Sequence, residues 1–419
     1  MVQIHKNFTD EAVRDLMKKY TYGGIKAVHV QDILGIRRRR FFKLLKEYRN
    51  NPDNFSIQYH RKPVKKIDVE IENNILKELK IEKEMIENKN IPIRFYNYSY
   101  LKDQLSKQYK QNVSLPTIID RAKKNDFYIP RKDKKNAHTH EVLTNYAGEL
   151  IQHDSSHHLF APYSNKKWYL ITSLDDFSRY LLYAILLERE TSWAHIIALQ
   201  SVFMRFGIPL KYYVDCHSIF RFVRGRDSVW QEHRKITDDV VPQWRQVLND
   251  CNVDVTFALS PQAKGKIERP YQWLQDRLVR TCVRENIKDI EPAEEILRQE
   301  FDRYNNHQVH STTGEIPAIR LKKAIKDGKS LFREFSIKPP YETIKDIFCI
   351  REERTVGSYR RISFNNIEIP IVGASINDKV EMRMVPNEKT GITEVRLWHG
   401  NNLIGNTKLK NSDLNTVHF

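Results

Sequence analysis

The sequence predicts a multidomain chain with three kinds of architecture: all-α helix-turn-helix modules first, then an α/β core with a mixed sheet, then a small β-barrel. Three observations predict it. Helical apolar spacing in the first third gives way near Gly148 to alternating β-prone and helical runs, and beyond about residue 340 only short strands between Asn, Gly and Asp turns remain. The 419-residue length calls for two to four domains. The charge is segregated too: residues 1–140 carry a net +14, against +1 for 141–330 and +2 for 331–419. A polyanion would therefore meet mainly the N-terminal third, so nucleic-acid binding is the first functional expectation.

Several classes are excluded at this level. With 40% apolar and 11% aromatic residues, packed cores are within reach, so a wholly disordered chain is not expected. The longest apolar run, near 180–187, falls far short of the ~20 residues that span a bilayer. The N-terminal MVQIHKNFTD has no apolar signal core. The expectation is a soluble, cytoplasmic, nucleoid-associated protein with no membrane partner. Four scattered cysteines without a CxxC argue against a disulfide framework or a Cys-rich zinc site.

The first module, 1–60, opens with Thr9 as an N-cap between Phe8 and Val13, a hydrophobic staple. Helices over 27–34 and 37–49, joined by Gly35-Ile36, have helix-turn-helix spacing. Arg37, Arg38, Arg39 and Arg40 crowd the start of the second helix and are candidate DNA contacts, while Phe41, Leu44, Leu45 and Tyr48 make its apolar stripe. The second module, 67–130, starts with a Glu/Lys-rich helix over 68–88, expected to be exposed. A second helix-turn-helix candidate follows, with Ser114 capping a helix over 115–125. There Thr117, Arg121 and Lys124 are spaced to face DNA. Basic linkers, HRKPVKK and RKDKKNAHTH, flank this module.

In the core, 142–325, strands are expected over 149–155, 167–174 and 180–187, the last two as a hairpin turned by Asp175–Arg179. Ser192 is expected to cap a helix to Phe206. A strand over 211–214 then delivers Asp215, and helices over 240–251 and 264–285 flank a strand at 254–259. Three carboxylates stand out by position: Asp154 on the first strand, Asp215 after a strand, and Glu268 in the first turns of the long helix. Asp is depleted in strands, and buried carboxylates must be paired or bind a cation. Such oxygen sets suit Mg²⁺ or Mn²⁺, and two ions suit phosphodiester chemistry. Asp175 and Asp176 compete on residue type, but a turn is where Asp is expected anyway. Lys264 and Lys266 straddle Gly265 just ahead of Glu268 and are candidate phosphate contacts; Arg269, Gln272, Gln275 and Arg277 are weaker ones.

The segments QHDSSHHLF, WYLITSLDDFSRYLLYAIL, GIPLKYYVDCHSIF and SPQAKGKIERPYQWLQDRL together resemble the catalytic core of the retroviral integrase and Asp–Asp–Glu transposase superfamily. The later YNNHQVHSTTGEIPA is similar to the tail that follows that core in bacterial insertion-sequence transposases. The resemblance implies a ribonuclease-H-like core, with Asp154, Asp215 and Glu268 as the catalytic and metal-binding triad for two Mg²⁺ or Mn²⁺ ions. It also implies terminal inverted repeats and target DNA as substrates, strand cleavage and strand transfer as the activity, and a homo-multimer in the synaptic complex. Two features depart from the pattern. No Gly follows Asp215 closely, and 52 residues separate Asp215 from Glu268, the excess falling in the charged stretch 221–242 with Arg221, Arg224 and Arg226. The final region, 340–419, is expected to form the barrel. A metal-dependent nuclease of the same fold, or a catalytically inactive transposase-derived DNA-binding protein, are the alternatives.

Overall fold

The computed structural model describes residues 4–58, 67–130, 143–215, 241–257 and 265–414, with 265–269 as backbone alone. Two compact units divide the chain, Met1–Asn73 and Asn74–Phe419.

The first unit holds α1 (Ile4–Asn7), α2 (Asp10–Thr21), α3 (Ala27–Leu34) and α4 (Arg38–Asn50). Thr9 caps α2, its hydroxyl accepting from the Ala12 N–H at 3.2 Å. Gly35 ends α3 in the left-handed region at φ 60°, a conformation that costs a residue without Cβ nothing. Val13, Met17, Val30, Leu34, Phe41 and Leu45 interlock as its core. Helix α5 (Val69–Glu87) crosses into the second unit, which continues with α6 (Tyr98–Tyr109) and α7 (Leu115–Lys124). Asn97 and Ser114 cap α6 and α7. The expected exposure of α5 does not hold, because Glu78 and Glu82 are fully buried. Their partners are arginines some 200 positions along the chain, which local charge alternation does not reveal.

The core sheet follows from β1 (Ile151–His158), β2 (Trp168–Asp175), β3 (Leu181–Leu187), β4 (Lys211–Val214) and β5 (Asp254–Phe257). Its order is β3-β2-β1-β4-β5, antiparallel from β3 to β1 and parallel from β1 to β5, the expected mixed sheet. Helices α8 (Ser192–Phe206) and α9 (Gln243–Asp250) cover one face. Helices α10 (Gly265–Arg284) and α11 (Ile290–Asn306) cover the other. Thr191, not Ser192, caps α8, accepting from the Ala194 N–H at 3.1 Å. Two neighbouring hydroxyls compete for that role, and backbone direction selects the first. The YNNHQVHSTTGEIPA segment ends α11 and leads into α12 (Pro317–Lys326). There Asn305 clamps both backbone groups of Leu181, each at 2.9 Å, and Arg320 lies over the Phe177 ring at 4.4 Å.

Where a barrel is expected, the described strands form an open four-stranded antiparallel sheet, β11-β10-β9-β6, and a hairpin, β7–β8. The strands are β6 (Ile350–Thr355), β7 (Arg361–Phe364), β8 (Ile367–Pro370), β9 (Lys379–Asn387), β10 (Ile392–His399) and β11 (Asn402–Lys410). A strand expected over 347–351 begins later, because Thr343 and Asp346 make a capping box that winds Ile344–Ile347 into α13. Met382, Met384 and Phe348 share one apolar cluster with Phe203 of α8 and Trp244 of α9. Asp346 ties the polar side of this junction. It accepts from Arg396, Trp398 and the Thr343 N–H, while Arg383 lies between the Tyr341 and Trp398 rings.

Burial alone raises the Asp346 pKa, but Arg396 and the Thr343 and Glu342 N–H groups outweigh it and hold the carboxyl below its ordinary value. A lowered folded pKa contributes stability above the ordinary carboxylate range and loses it as pH falls through the folded value. Asp346→Asn is expected to destabilise this unit by about 2 kcal/mol, since it removes the nearest carboxylate from Arg396 and leaves the more distant Glu342 and Glu394, at 3.4 and 3.7 Å. Chemical denaturation across pH 2–7 checks it: the variant's curve flattens on the acid side.

Candidate active site

Strand alternation sorts the side chains of β1 onto two faces. Ile151 packs with Tyr212 and Val214 on the α8–α9 side. Leu150 packs with Tyr213 on the other side, so Gln152, Asp154 and Ser156 share that other face. Strands β1 and β4 pair in parallel with Ile151 opposite Tyr212 and Gln152 opposite Tyr213. Carried two residues further, the same offset sets Asp154 beside Asp215, the residue that follows β4. Asp154 is the fourth residue of β1, opposite Thr172 of β2, and Asp215 directly follows β4; both are half-buried.

Helix α10 is fixed against this spot by its own side chains. The Tyr271 hydroxyl donates to the backbone oxygen of Asp154, and Gln275 donates to Ser156 Oγ at 2.5 Å. Burial, then the neighbouring Asp154 charge, pushes the Tyr271 phenol well above its ordinary pKa, so it acts as a donor. Glu268 precedes Tyr271 by three positions and Gln275 by seven, the spacing of one helix face. The helix backbone therefore delivers Glu268 towards the end of β1 that bears Asp154. The side chains of Glu268 and Lys266 lie outside the described residues, as does all of Lys264. Among the described residues no three His, Cys, Asp or Glu side chains gather as a metal site. Asp154 within β1 and Asp215 just after β4 offer hard oxygen donors, of a kind that fits Mg²⁺ or Mn²⁺ better than a softer metal.

On the opposite face of β1 runs a buried polar chain that the sequence does not announce. Ser173 Oγ meets His153 Nδ1 at 2.9 Å, His153 Nε2 meets His195 Nδ1 at 2.8 Å, and His195 Nε2 meets Glu190 at 3.0 Å. Ser155 donates to the same Glu190 oxygen. His153 and Ser155, the two neighbours of Asp154, are thus both anchored. His157 stacks on Tyr169 at 4.2 Å and His158 lies against Phe160. The three histidines point to separate surroundings rather than to one ligand set.

The competing acids of the β2–β3 turn are consumed internally. Asp175 accepts from the Gly148 and Ser178 N–H groups at 2.9 Å each. Asp176 accepts from Gln152 at 2.6 Å, Thr144 at 2.7 Å and Arg179 at 2.9 Å. Arg277, a weak candidate for a DNA contact, is instead buried and paired with Asp103 and Glu300. Gln272 is exposed, and the side chain of Arg269 lies outside the described residues, as do Arg221, Arg224 and Arg226. In the helical modules Arg37, Arg38 and Arg39 are exposed and Arg40 half-buried at the start of α4. On α7, Arg121 and Lys124 both reach Asp120, at 2.6 and 2.8 Å, and Thr117 meets Ser114 at 2.8 Å.

The core joins a mixed five-stranded sheet to helices on both faces, and the chain is similar to proteins named as transposases. The chain is 30% identical over 208 residues to the transposase for insertion sequence IS1202 of Streptococcus pneumoniae, covering 49% of this chain and 42% of that protein. It is 26% identical over 278 residues to a protein of Sinorhizobium fredii with the provisional name transposase y4bF, covering 66% of this chain and 56% of that one. The resemblance drawn from the core motifs is borne out by these relatives. The chain spans about half the length of the curated proteins it matches. No family model matches. Among solved structures, the magnesium-bound HTLV-2 integrase catalytic core overlaps 43% of this chain and 98% of its own, with 17% identity and a TM-score of 0.31. A simian T-cell lymphotropic virus intasome with a PP2A B56 gamma subunit covers 71% and 89%, with 12% identity and a TM-score of 0.35.

Asp175 also makes a pH prediction. Burial outweighs its hydrogen bonds and pushes its pKa up to about 6. A raised folded pKa means that its contribution is fully present below the ordinary carboxylate range and is lost as pH rises through about 6. Asp175→Asn removes that titration. Between pH 4 and 7 the wild type should lose up to about 3 kcal/mol of stability relative to the variant, measured by denaturant unfolding. Parallel pH curves for the two proteins would refute it.

Proposed function

We propose that this chain is an insertion-sequence DNA transposase of the Asp–Asp–Glu type, built on a ribonuclease-H-like core with flanking DNA-binding helical modules and a barrel-like C-terminal domain. The observation that supports the reading is the parallel pairing of β1 with β4, whose register runs on towards Asp154 and Asp215, together with the Tyr271 hydroxyl of α10 on the Asp154 carbonyl. The domain layout of the reading is 1–60, 67–130, 142–325 and 340–419. The basic first third supports DNA as the partner, and no described helix is long and apolar enough to cross a membrane. A cytoplasmic, nucleoid-associated location follows from that substrate.

In this reading Asp154, Asp215 and Glu268 would hold two Mg²⁺ or Mn²⁺ ions. Bound there, such ions activate an attacking oxygen and stabilise the leaving oxygen of an in-line displacement at phosphorus. The chain's own contribution is positional. Parallel pairing of β1 with β4 fixes the strands that carry Asp154 and lead into Asp215, and Tyr271 and Gln275 hold the helix that bears the glutamate. Lys264 and Lys266 supply positive charge beside it for the DNA backbone. Water attacks the phosphodiester at the element's end and frees a 3′-hydroxyl, which then attacks target DNA. Both steps exchange one phosphoester oxygen for another, so no Ser or Tyr nucleophile is required. Arg37, Arg38, Arg39 and Arg40, with Thr117, Arg121 and Lys124, are assigned to the terminal inverted repeats. Joining two ends in one complex calls for a homo-multimer.

Asp215→Asn should lower Mg²⁺-dependent cleavage of end-bearing oligonucleotides by about 10³-fold or more, the effect of losing several kcal/mol of charge stabilisation. Binding of the ends should persist, and chelation of the metal should mimic the variant in the wild type. Joined products support transposition, whereas cleavage without joining would leave a nuclease and binding alone an inactive descendant. Neutralising Arg39 and Arg40 should reduce the slope of log affinity against log salt by about 0.9 for each phosphate they neutralise in the wild type. An unchanged slope would remove α4 from the DNA interface.

A further inference from the structure

Helix α10 has two working faces. Leu274, Leu278 and Cys282 pack into the sheet, and Tyr271 and Gln275 grip β1. The residues between them, Asp276, Arg277, Arg280 and Arg284, turn towards α5 and α6. Arg280 pairs with Glu82, hydrogen-bonds Asp276 at 2.8 Å and donates to the Phe95 carbonyl at 2.6 Å. Arg284 pairs with Glu78 at 2.7 Å, and Arg277 pairs with Asp103 of α6. Asn97, the cap of α6, donates to Asp276 at 2.5 Å, and the Tyr100 hydroxyl meets Thr281 at 2.9 Å. Arg277, Arg280, Glu78 and Glu82 are each at most 1% exposed. Helix α7 is joined to this assembly, since the Tyr98 hydroxyl of α6 donates to the Phe127 carbonyl at 2.9 Å.

Stability alone does not account for so much buried charge. Buried ion pairs are often replaceable by apolar residues without loss, and Met85, Ile91, Ile93 and Val279 already make an apolar contact here. What directional, charge-assisted bonds add is one register between the two surfaces. Arg280 lies twelve residues beyond Glu268 on the same helix, with Pro270 between them, roughly 18 Å along its axis.

We propose that this ion-pair seam is a positioning device: Arg277, Arg280 and Arg284 lock the α5–α7 module to the helix bearing Glu268, and so fix which phosphate of a bound element end is cut. The inference rests on the transposase reading above and names the determinant of cut position within it.

The test uses the full chain with Mg²⁺ and an end-labelled oligonucleotide carrying the element end, and maps nicks to the nucleotide. Glu82→Met with Arg280→Met removes both members of the buried pair, and Asp276, which loses Arg280, is partly exposed and keeps its hydrogen bond from Asn97. Asp103→Asn, at a partly exposed position, is the milder companion should the double variant fold poorly. In each, end binding is expected to persist while cuts spread to neighbouring phosphates. The share at the wild-type position should fall about fivefold in the double variant, the low end of ordinary coupling energies. Arg280→Lys, which keeps the charge, should retain the single position. Cutting at the wild-type position with only a changed rate would overturn the proposal. Wild-type chain that binds ends but never cuts them defeats the proposed chemistry instead, and amide exchange then reads the seam. End DNA should slow exchange over 272–284 in the wild type and not in the variants, and equal slowing in both overturns the seam. Absence of end binding overturns both readings.

Discussion

Everything at the candidate active site depends on helix α10 lying along β1 in a single register. The hydroxyl of Tyr271 on the Asp154 carbonyl and the amide of Gln275 on Ser156 set that register with two bonds, four residues apart on the helix and two apart on the strand. Helix rise and strand rise make those separations commensurate, at about 6 and 7 Å. A slip by one helical position would break both bonds, because side-chain direction rotates by about 100° per residue. The apolar ridge of Leu274, Leu278 and Cys282 gives the helix its affinity for the sheet, but a greasy ridge tolerates small slides. The polar bonds convert a general attraction into a specific placement.

The strand receiving the helix is held just as firmly from behind. His153 and Ser155 lead into the chain of hydrogen bonds through His195 to Glu190, and His153 also lies flat against Trp244 at 5.9 Å. Every polar atom so enclosed has to find a partner, so the strand cannot shift without breaking several bonds at once. The C-terminal sheet adds its weight to the same side, since Phe348, Met382 and Met384 belong to the apolar cluster under α8 and α9. That sheet is thus part of the core's support, which its spacing from the core in sequence does not suggest.

Much of this is legible in the sequence. Apolar alternation in WYLITSL and YLLYAILL marks the hairpin, Thr9 and Ser114 mark helix starts, and an Asp on a strand (Asp154) and one just after a strand (Asp215) single out the acids. Those signals are local, a matter of period and capping within a few residues. What is not legible is long-range. Glu78 and Glu82 read as a solvated charge pattern until Arg284 and Arg280 are folded against them. His195 and Glu190 carry no motif at all. The onset of β6 escapes strand propensity because a capping box that depends on Asp346 outcompetes it. Tyr271 and Gln275 are within reach of sequence reasoning, since both fall on the helical face defined by Glu268.

The buried acids sort by what surrounds them. Asp175, Asp176 and Asp346 sit among backbone N–H groups, hydroxyls and guanidinium groups that fill their acceptor sites, and Glu78 and Glu82 are matched by arginines. Glu78, Glu82, Asp176 and Asp346 each face a guanidinium, whereas Asp175 is held by N–H and hydroxyl donors and its pKa is raised by burial. Asp154 and Asp215 are placed differently: both are half-buried, Asp154 in the middle of β1 and Asp215 directly after its parallel neighbour β4. Their place is set by the β1–β4 register and by the Tyr271 hydroxyl on the Asp154 carbonyl, so the backbone pairing that builds the sheet also decides where these two acids stand.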